Sequence, residues 1–212
     1  IPIYERAMKL NKGVVKATGL SRTDLFFDDS YKQKCYELFY KKHPDAIGKK
    51  VVLWAPTFRG KANNPFILGK NYIDELQEKL GEEWYVLTKV HPHLDSKNHI
   101  SNTNIPTEEL LPIIDILITD YSSVIFDYVL LDKPVVYFTY DLEEYENDRG
   151  LYYPFNDYVY GSVAKNSLEL ATSIKEAKMK RKERKEFKDK FMSSCDGNST
   201  KKTYEFIFKD KE

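Results

Sequence analysis

Residues 115–128 constrain the fold more than any other part of the chain, because a strand pattern passes there into a helix pattern. An apolar run rich in isoleucine ends in Thr119 and Asp120, and apolar residues return at helical spacing after Ser122 and Ser123. This order predicts a buried parallel strand, a tight turn and a helix whose N-cap is Ser122 or Ser123. Backbone N–H groups and the positive end of the helix dipole meet at such a turn. The pattern predicts an anion site, with phosphate as the anion, although serine also caps helices that bind nothing.

A second strand is predicted over residues 84–90, and it runs directly into His91, Pro92 and His93. Pro92 has no backbone N–H to donate, so strand pairing must stop there. Ligands of open α/β sheets bind beyond the carboxyl ends of the strands. If the two predicted strands are neighbours, His91 and the turn at Ser122 and Ser123 converge on one diphosphate.

The composition indicates which kinds of partner the chain could bind and which cellular compartment suits it. Lysine plus arginine equals aspartate plus glutamate at 33 each, so no overall charge attracts nucleic acid. Residues 175–185 form a basic run, which is typical of a solvated helix face; the alternative is contact with an anionic membrane or another polyanion. Cys35 and Cys195 lack metal-ligand spacing and favour a reducing compartment over a disulfide framework. No apolar run is long enough to cross a bilayer.

Predicted strands alternate with predicted helices along most of the chain. This alternation predicts an α/β fold, a doubly wound, Rossmann-like parallel sheet with helices on both faces. Because the sequence opens on Ile1 instead of methionine, we expect it to be part of a longer protein. The predicted strands cover residues 14–18, 51–55, 84–90, 115–119, 135–138 and 159–163; the predicted helices cover 29–43, 71–80, a short stretch after 107, 122–131 and most of 167–209; residues 19–24 are predicted as a turn and 141–158 as a loop.

Several short motifs occur in an order typical of one enzyme family. They lie at residues 18–24, 54–59, 91–93, 119–123, 126–128, 133–134, 149–150 and 195–198. On these motifs the chain resembles the CDP-glycerol glycerophosphotransferases, the teichoic acid primase and polymerase group with a GT-B fold. The resemblance implies one half of a GT-B fold. Residues 1–28 would be a remnant of the interdomain connection, and residues 29–212 a C-terminal Rossmann-like domain that binds a CDP-polyol.

The chain departs from the family pattern at three points. Ser21 stands where the family usually carries proline, and Gly161 is followed by Ser162 where the family has glycine-proline. The tryptophan-histidine-glycine-threonine motif, which supplies the histidine usually proposed as catalytic base, is absent. The resemblance therefore implies a nucleotide-binding half that works with a missing N-terminal half-domain.

The resemblance also implies a reaction. Glycerol phosphate, or a related polyol phosphate, would pass from CDP-glycerol or CDP-ribitol to a hydroxyl of a lipid-linked acceptor in teichoic acid or capsule polymer synthesis, with release of CMP. Positioning and electrostatics do most of the work in such transfers, and no cofactor or metal is implied. The enzyme would be cytoplasmic and peripheral at the inner face of the cell membrane.

The site residues follow from the motifs. His91 is the predicted catalytic residue, stabilising charge on the pyrophosphate or the leaving group. Ser122 and Ser123 would hold the phosphates, and Asp127 would orient a ribose, a polyol hydroxyl or His91. The predicted substrate-binding residues are Ser122, Ser123, Asp127, Arg59, Arg149, Thr119 and Asp120, with Arg59 or Arg149 adding a forked donor.

Other interpretations stay open from the residues alone. His91, His93 and His99 could form a metal site, but no cysteine or carboxylate occurs at supporting spacing apart from the nearby Asp95. A nucleotide-sugar-dependent GT-B glycosyltransferase or epimerase-like enzyme would show the same strand–turn–helix pattern. A non-catalytic binding module would depend more on the basic run than on His91.

Overall fold

The protein is described by a computed structural model over residues 1–61, 64–91 and 100–209. The predictions that concern Pro92, His93 and His99 lie outside the described residues. Among the helices of the described ranges, none is long and apolar enough to span a membrane.

The fold is built on a five-stranded parallel sheet with a small antiparallel hairpin beside it. The strands are β1 (Lys50–Trp54), β2 (Arg59–Lys61), β3 (Asn64–Phe66), β4 (Trp84–Thr88), β5 (Ile116–Thr119), β6 (Val135–Phe138) and β7 (Ser162–Ala164). In the main sheet the order is β4-β1-β5-β6-β7, so Trp54 of β1 pairs with Thr88 on one side and Ile118 on the other. Counted among these five strands, this is the doubly wound order 2-1-3-4-5, whose switch point lies between β1 and β5.

The helices lie on both faces of the sheet. They are α1 (Pro2–Ala7), α2 (Asp29–Lys42), α3 (Lys70–Asp74), α4 (Leu76–Leu80), α5 (Thr107–Leu110), α6 (Val124–Tyr128), α7 (Leu142–Asp148), α8 (Ser167–Lys175), α9 (Arg181–Phe191) and α10 (Ser199–Phe208). Short 3-10 helices cover Ser21–Phe27, Pro44–Ala46, Val129–Leu131 and Phe155–Tyr158.

Alternate residues of the strands enter two separate cores. Val51 and Leu53 of β1 pack with buried residues of α2, α5, α6 and α9. Val52 and Trp54 of the same strand pack with α3, α4 and α8 on the other face. A strand buried on both faces reads as a continuous apolar run instead of an alternating one. This is why the central strands β1, β5 and β6 were recognisable in the sequence, and the predicted α/β class is confirmed.

Most predicted elements occur close to their predicted positions. The helix predicted to begin near residue 29 is α2, and the Asp28 carboxylate caps it by accepting hydrogen bonds from the backbone N–H groups of Ser30 and Tyr31. The helix predicted to have Ser122 or Ser123 as its N-cap is α6, and its N-cap is Ser123. It runs from Val124 to Tyr128 and continues as a 3-10 turn to Leu131.

Three element predictions were wrong. Residues 14–18 form no strand, and the predicted turn at 19–24 is part of the 3-10 helix Ser21–Phe27. Residues 141–158, predicted as a loop, contain α7 and a 3-10 helix. The acidic composition concealed α7, which forms because Leu142 and Tyr145, three residues apart, both pack against the core.

Candidate functional site

The segments that follow β1, β4, β5 and β6 meet at one side of the sheet, because the four strands are parallel. We call this side the carboxyl edge; it comprises residues 55–59, 89–91, 120–123 and 139–141. The switch point of the sheet, between β1 and β5, lies within it. All the predicted site residues except Arg149, Asp127 and Thr119 belong to the carboxyl edge, and Thr119 and Asp127 adjoin it on β5 and α6.

The serine turn, residues 120–123, connects β5 to α6. Ser123 is the N-cap residue of α6, but its side chain makes no capping hydrogen bond. Its carbonyl accepts the N–H of Phe126 at 3.1 Å. Within the described residues, the backbone N–H groups of Ser122 and Ser123 and the Ser123 hydroxyl have no hydrogen-bond acceptor. The turn therefore offers several unused donors at the switch point, which suits an anionic group.

Thr119 and Asp120 hold the serine turn against the segment after β1. The buried Thr119 hydroxyl donates to the Ala55 carbonyl at 2.7 Å. The Asp120 carboxylate accepts the N–H of Thr57 at 2.8 Å and that of Tyr121 at 2.6 Å. Because their polar atoms bond to the protein itself, both residues support the conformation of the serine turn.

Arg59 lies at the centre of a buried group of charges. Its guanidinium Nε donates to Asp141 at 2.7 Å, Nη2 donates to Asp120 and to Asp141 at 3.0 Å each, and Nη1 donates to the Thr57 carbonyl at 2.6 Å. Burial on its own lowers the pKa of Arg59, but the hydrogen bond to Asp141 and the charges of Asp120 and Asp141 raise that pKa above its usual value. The predicted contact of Arg59 with phosphate stays a prediction, and in this structure its donors are directed to protein oxygens.

Two tyrosines complete this group, which we call the Arg59 cluster (Arg59, Asp120, Tyr121, Asp141 and Tyr145). The rings of Tyr121 and Tyr145 stack with centroids 4.0 Å apart, and the Arg59 guanidinium lies 5.2 and 4.9 Å from the two centroids. The Tyr121 hydroxyl donates to Asp141 at 3.1 Å. The cluster thus joins the segments after β1, β5 and β6 to α7.

His91 and Arg149 are brought together by Phe58. His91 follows the end of β4 by three residues and is exposed, and its ring centroid is 5.8 Å from that of Phe58. The Arg149 guanidinium lies 4.6 Å from the Phe58 ring centroid and donates a hydrogen bond to the Gly60 carbonyl. An imidazole and an exposed guanidinium therefore lie on the same side of the switch point.

One geometric expectation needs correction. The strands that lead to His91 and to the serine turn, β4 and β5, are not neighbours, because β1 lies between them. At the usual spacing of paired strands they are about 10 Å apart. The cause is the doubly wound connection, which places β4 outside β1, and no local sequence pattern reveals that order. A ligand that contacts both His91 and the serine turn must extend across the segment 55–59.

Asp127 lies one helical turn beyond Ser123 on α6 and forms an ion pair with Arg22. Arg22 Nε and Nη2 donate to the two carboxylate oxygens at 3.0 Å each, and this bond raises the pKa of Arg22.

The residues that sequence reasoning missed at the site are Arg22, Phe58, Tyr121, Asp141 and Tyr145. Arg22, Phe58 and Tyr121 fall inside the family motifs 18–24, 54–59 and 119–123, which was the available signal.

Metal ligands do not cluster in the described part of the chain, where no group of three histidine, cysteine, aspartate or glutamate side chains could hold an ion. His93 and His99 lie outside that part, so the three-histidine alternative stays untested. Cys35 and Cys195 are both buried free thiols.

Comparison with known proteins identifies the family. The family model for "CDP-Glycerol:Poly(glycerophosphate) glycerophosphotransferase" matches residues 1–209. A teichoic acid poly(ribitol-phosphate) polymerase of Bacillus spizizenii is 36% identical over 91% of this chain and 33% of its own length. The teichoic acid ribitol-phosphate primase of the same organism is 31% identical over 98% of this chain and 56% of its own length.

Solved structures agree with this assignment. The wall teichoic acid polymerase TagF superposes with a TM-score of 0.78 at 27% identity, over 99% of this chain and 55% of the TagF chain. A TagF variant soaked with CDPG gives the same TM-score at 28% identity. The fold prediction, one half of a GT-B-type structure, is confirmed. The chain spans between a third and a little over half of the length of the relatives named here. It belongs to the CDP-glycerol glycerophosphotransferase family.

Proposed function

We propose that this chain is the nucleotide-binding half of a transferase that moves glycerol phosphate, or a related polyol phosphate such as ribitol phosphate, from its CDP carrier to a lipid-linked acceptor in teichoic acid or capsule polymer synthesis. The observation that carries this proposal is the serine turn, whose unused donors lie at the switch point of the sheet. His91 lies at the same edge, and Arg149 lies against Phe58 beside it. Family membership and the CDPG-soaked relative support the choice of nucleotide.

The proposed reaction is a displacement at phosphorus. The acceptor hydroxyl oxygen forms a bond to the phosphorus of the polyol phosphate, and the bond from that phosphorus to the bridging oxygen breaks. CMP leaves with the bridging oxygen and the electron pair, and the hydroxyl proton passes to a base. The resemblance assigns that base to the N-terminal half of family members. Charge grows on the departing CMP phosphate, so donors fixed around the diphosphate lower the barrier.

Each described site residue has a role in this proposal. The N–H groups of Ser122 and Ser123 and their hydroxyls bind the diphosphate. His91 donates a hydrogen bond to the leaving phosphate, and Arg149 adds positive charge beside it. Asp127 accepts hydroxyl groups of the ribose or the polyol. Arg59, Thr119 and Asp120 act from beneath by holding the serine turn to the segment after β1.

The domain division is part of the proposal. Residues 1–28 are the connection towards the other half of the enzyme, and residues 29–212 are the CDP-polyol-binding domain. In support, the residues before α2 contribute no strand to the main sheet in the described ranges. They contact the domain chiefly through the 3-10 helix Ser21–Phe27, which packs against α2 and α10.

We also propose that the enzyme is cytoplasmic and peripheral at the inner membrane face, where a lipid-linked acceptor is found. Support comes from the basic run, which continues from the end of α8 into α9. Part of its charge is paired locally, as in the contact of Arg184 with Asp132 at 3.0 Å. Lys178 and Lys182 are exposed, so positive charge is available to an anionic surface.

Nucleotide binding tests the proposal directly. In titration calorimetry, the chain should bind CDP-glycerol or CDP-ribitol saturably and should bind UDP and GDP sugars more weakly. Ser123→Ala should weaken cytidine nucleotide binding about tenfold or more, because a hydrogen bond to a charged group is lost. Ser173→Ala, at the far end of α8, is the matched control and should bind as the unaltered chain does. Absence of heat with every cytidine nucleotide, or a preference for UDP or GDP sugars, would contradict the proposal.

A further inference from the structure

We propose that Arg22 is a positioning residue, which holds Asp127 and through it the serine turn in the geometry that binds the diphosphate. The inference rests on the proposed function for the identity of the ligand. Arg22 precedes α2 and lies in the stretch proposed as the interdomain connection. It therefore links that connection to the nucleotide site.

The contact between Arg22 and Asp127 is a forked one. Two parallel N–H donors meet two carboxylate oxygens at 3.0 Å, across 105 residues of sequence. The Asp127 side chain is 17% exposed and that of Arg22 is 60% exposed. Such a pair fixes direction as well as distance, which a single lysine ammonium would not do. Each carboxylate oxygen keeps a further lone pair, so Asp127 can still accept a hydroxyl group of a ligand.

The residues next to Arg22 hold its backbone in place through hydrogen bonds. The Thr23 hydroxyl donates to the carbonyl of Leu20, the N-cap residue of the 3-10 helix Ser21–Phe27, at 2.7 Å. The Asp24 carboxylate accepts the N–H groups of Ser199 at 2.9 Å and Thr200 at 2.8 Å, at the start of α10. The backbone around Arg22 is thereby attached to the C-terminal helix. From this backbone position the Arg22 guanidinium extends to Asp127 on α6.

The serine turn needs such support, because α6 has only five residues. A helix this short has little stability of its own and takes its orientation from its contacts. Ile125 and Tyr128 anchor one side of α6 in the core, and the Arg22 pair holds the side that carries Asp127. Without Arg22 the turn keeps its core contacts and the hydrogen bonds of Thr119 and Asp120, but α6 loses the restraint at Asp127.

Matched arginine variants test this role. Arg184 pairs with Asp132, which ends the 3-10 turn after α6, so Arg184→Gln removes an arginine–aspartate pair from the far end of the same unit. We expect Arg22→Gln to weaken CDP-glycerol binding on the order of tenfold, because misplaced donors lose much of their effect. The melting temperature should fall no further than in Arg184→Gln, which should bind normally. Equal losses of affinity in the two variants would reduce Arg22 to a structural residue.

A double variant shows whether Arg22 acts through Asp127. If it does, Arg22→Gln combined with Asp127→Asn should bind CDP-glycerol no more weakly than Asp127→Asn alone. Additive losses would overturn the inference, since Arg22 would then act on the ligand by another route.

A measurement without nucleotide separates this inference from the proposed function. In amide NMR spectra of the unliganded chain, Arg22→Gln should shift or broaden the signals of Ser122, Ser123 and Val124, and Arg184→Gln should leave them unchanged. Undisturbed turn signals would overturn the positioning role whatever the ligand. If the unaltered chain ignores CDP-glycerol while the turn signals respond to Arg22→Gln, the proposed function fails and the positioning of the turn stands.

Discussion

At the scale of the residue, Arg59 shows how buried charge can serve positioning. The Arg59 side chain is 8% exposed, and the side chains of Asp120 and Asp141 are 4% and 9% exposed. All three charged groups are therefore buried away from water. Removing charges from water is costly, and their mutual attraction offsets that cost only when the hydrogen bonds are well made. Here every nitrogen of the guanidinium has an oxygen partner. The cluster is therefore best understood as a support for the loops of the carboxyl edge.

Replacing Arg59 should destabilise the whole chain. Arg59→Met leaves Asp120 and Asp141 buried without a cation, and we expect the free energy of unfolding to fall by about 3–5 kcal/mol. Urea denaturation followed by circular dichroism would measure it. Arg22→Gln is the control: its arginine side chain is 60% exposed, so its loss should cost less than about 1 kcal/mol. Similar midpoints for the two variants would show that the Arg59 cluster contributes little to stability.

At the scale of the element, two family motifs dock on each other through glycines. Gly19 has a φ of +91° and lies against Ser194 and Ser199, which flank the motif 195–198. Gly197 has a φ of +86° and faces the Phe27 side chain. Both positions need the left-handed conformation; Gly19 also lacks room for a Cβ atom, and a Cβ at Gly197 would lie 3.0 Å from the Phe27 side chain. These contacts attach the start of the chain to its C-terminal helix.

Comparing alanine variants of Gly13 and Gly19, which have similar φ angles, distinguishes the cost of backbone strain from the cost of steric crowding. A Cβ at Gly19 would lie 2.3 Å from Ser199 Oγ and 2.6 Å from the Ser194 carbonyl oxygen, whereas a Cβ at Gly13, with a φ of +88°, meets nothing within 4 Å. We expect Gly19→Ala to lower the free energy of unfolding by about 1–3 kcal/mol more than Gly13→Ala does, because crowding adds to the same strain. Thermal or urea unfolding of the two variants measures the difference. Equal destabilisation would mean that the two motifs can move apart without cost.

At the scale of the whole molecule, a formal net charge of zero conceals an uneven distribution. The basic run, residues 175–185, is the surface that we propose contacts anionic lipid, and lysines near such a membrane each contribute about 1 kcal/mol to binding. The attraction falls off within a Debye length, so added salt should weaken it.

Sedimentation with vesicles tests the membrane proposal. The chain should sediment with phosphatidylglycerol-containing vesicles at low salt and much less with pure phosphatidylcholine. The double change Lys178→Gln and Lys182→Gln should lower partitioning about thirtyfold, from two contributions of about 1 kcal/mol. Lys34→Gln with Lys41→Gln, on α2, removes the same charge from a different element and should have little effect. Equal losses in the two double variants would show that the basic run has no special part in binding.

The sequence by itself determined the local structure of this protein. The apolar runs of β1, β5 and β6 specify strands buried on both faces, and Asp28 marks the start of α2, because side-chain spacing and capping act within a few residues. The strand–turn–helix at residues 115–128 was predictable for the same reason, as was the place of Ser122 and Ser123 beyond a strand end. The acidic α7 was not, since its packing depends on Tyr145 meeting Tyr121 and Arg59.

Only the tertiary structure decided how these pieces meet. It placed β1 between β4 and β5, so that His91 and the serine turn lie on either side of residues 55–59. It joined Arg59 to Asp141 and Arg22 to Asp127, which are 82 and 105 residues apart. Partners at such separations are chosen by the path of the chain and by the need to satisfy buried charge. A local sequence pattern predicts neither the path of the chain nor the partners of buried charges, because both depend on the complete packing of the molecule.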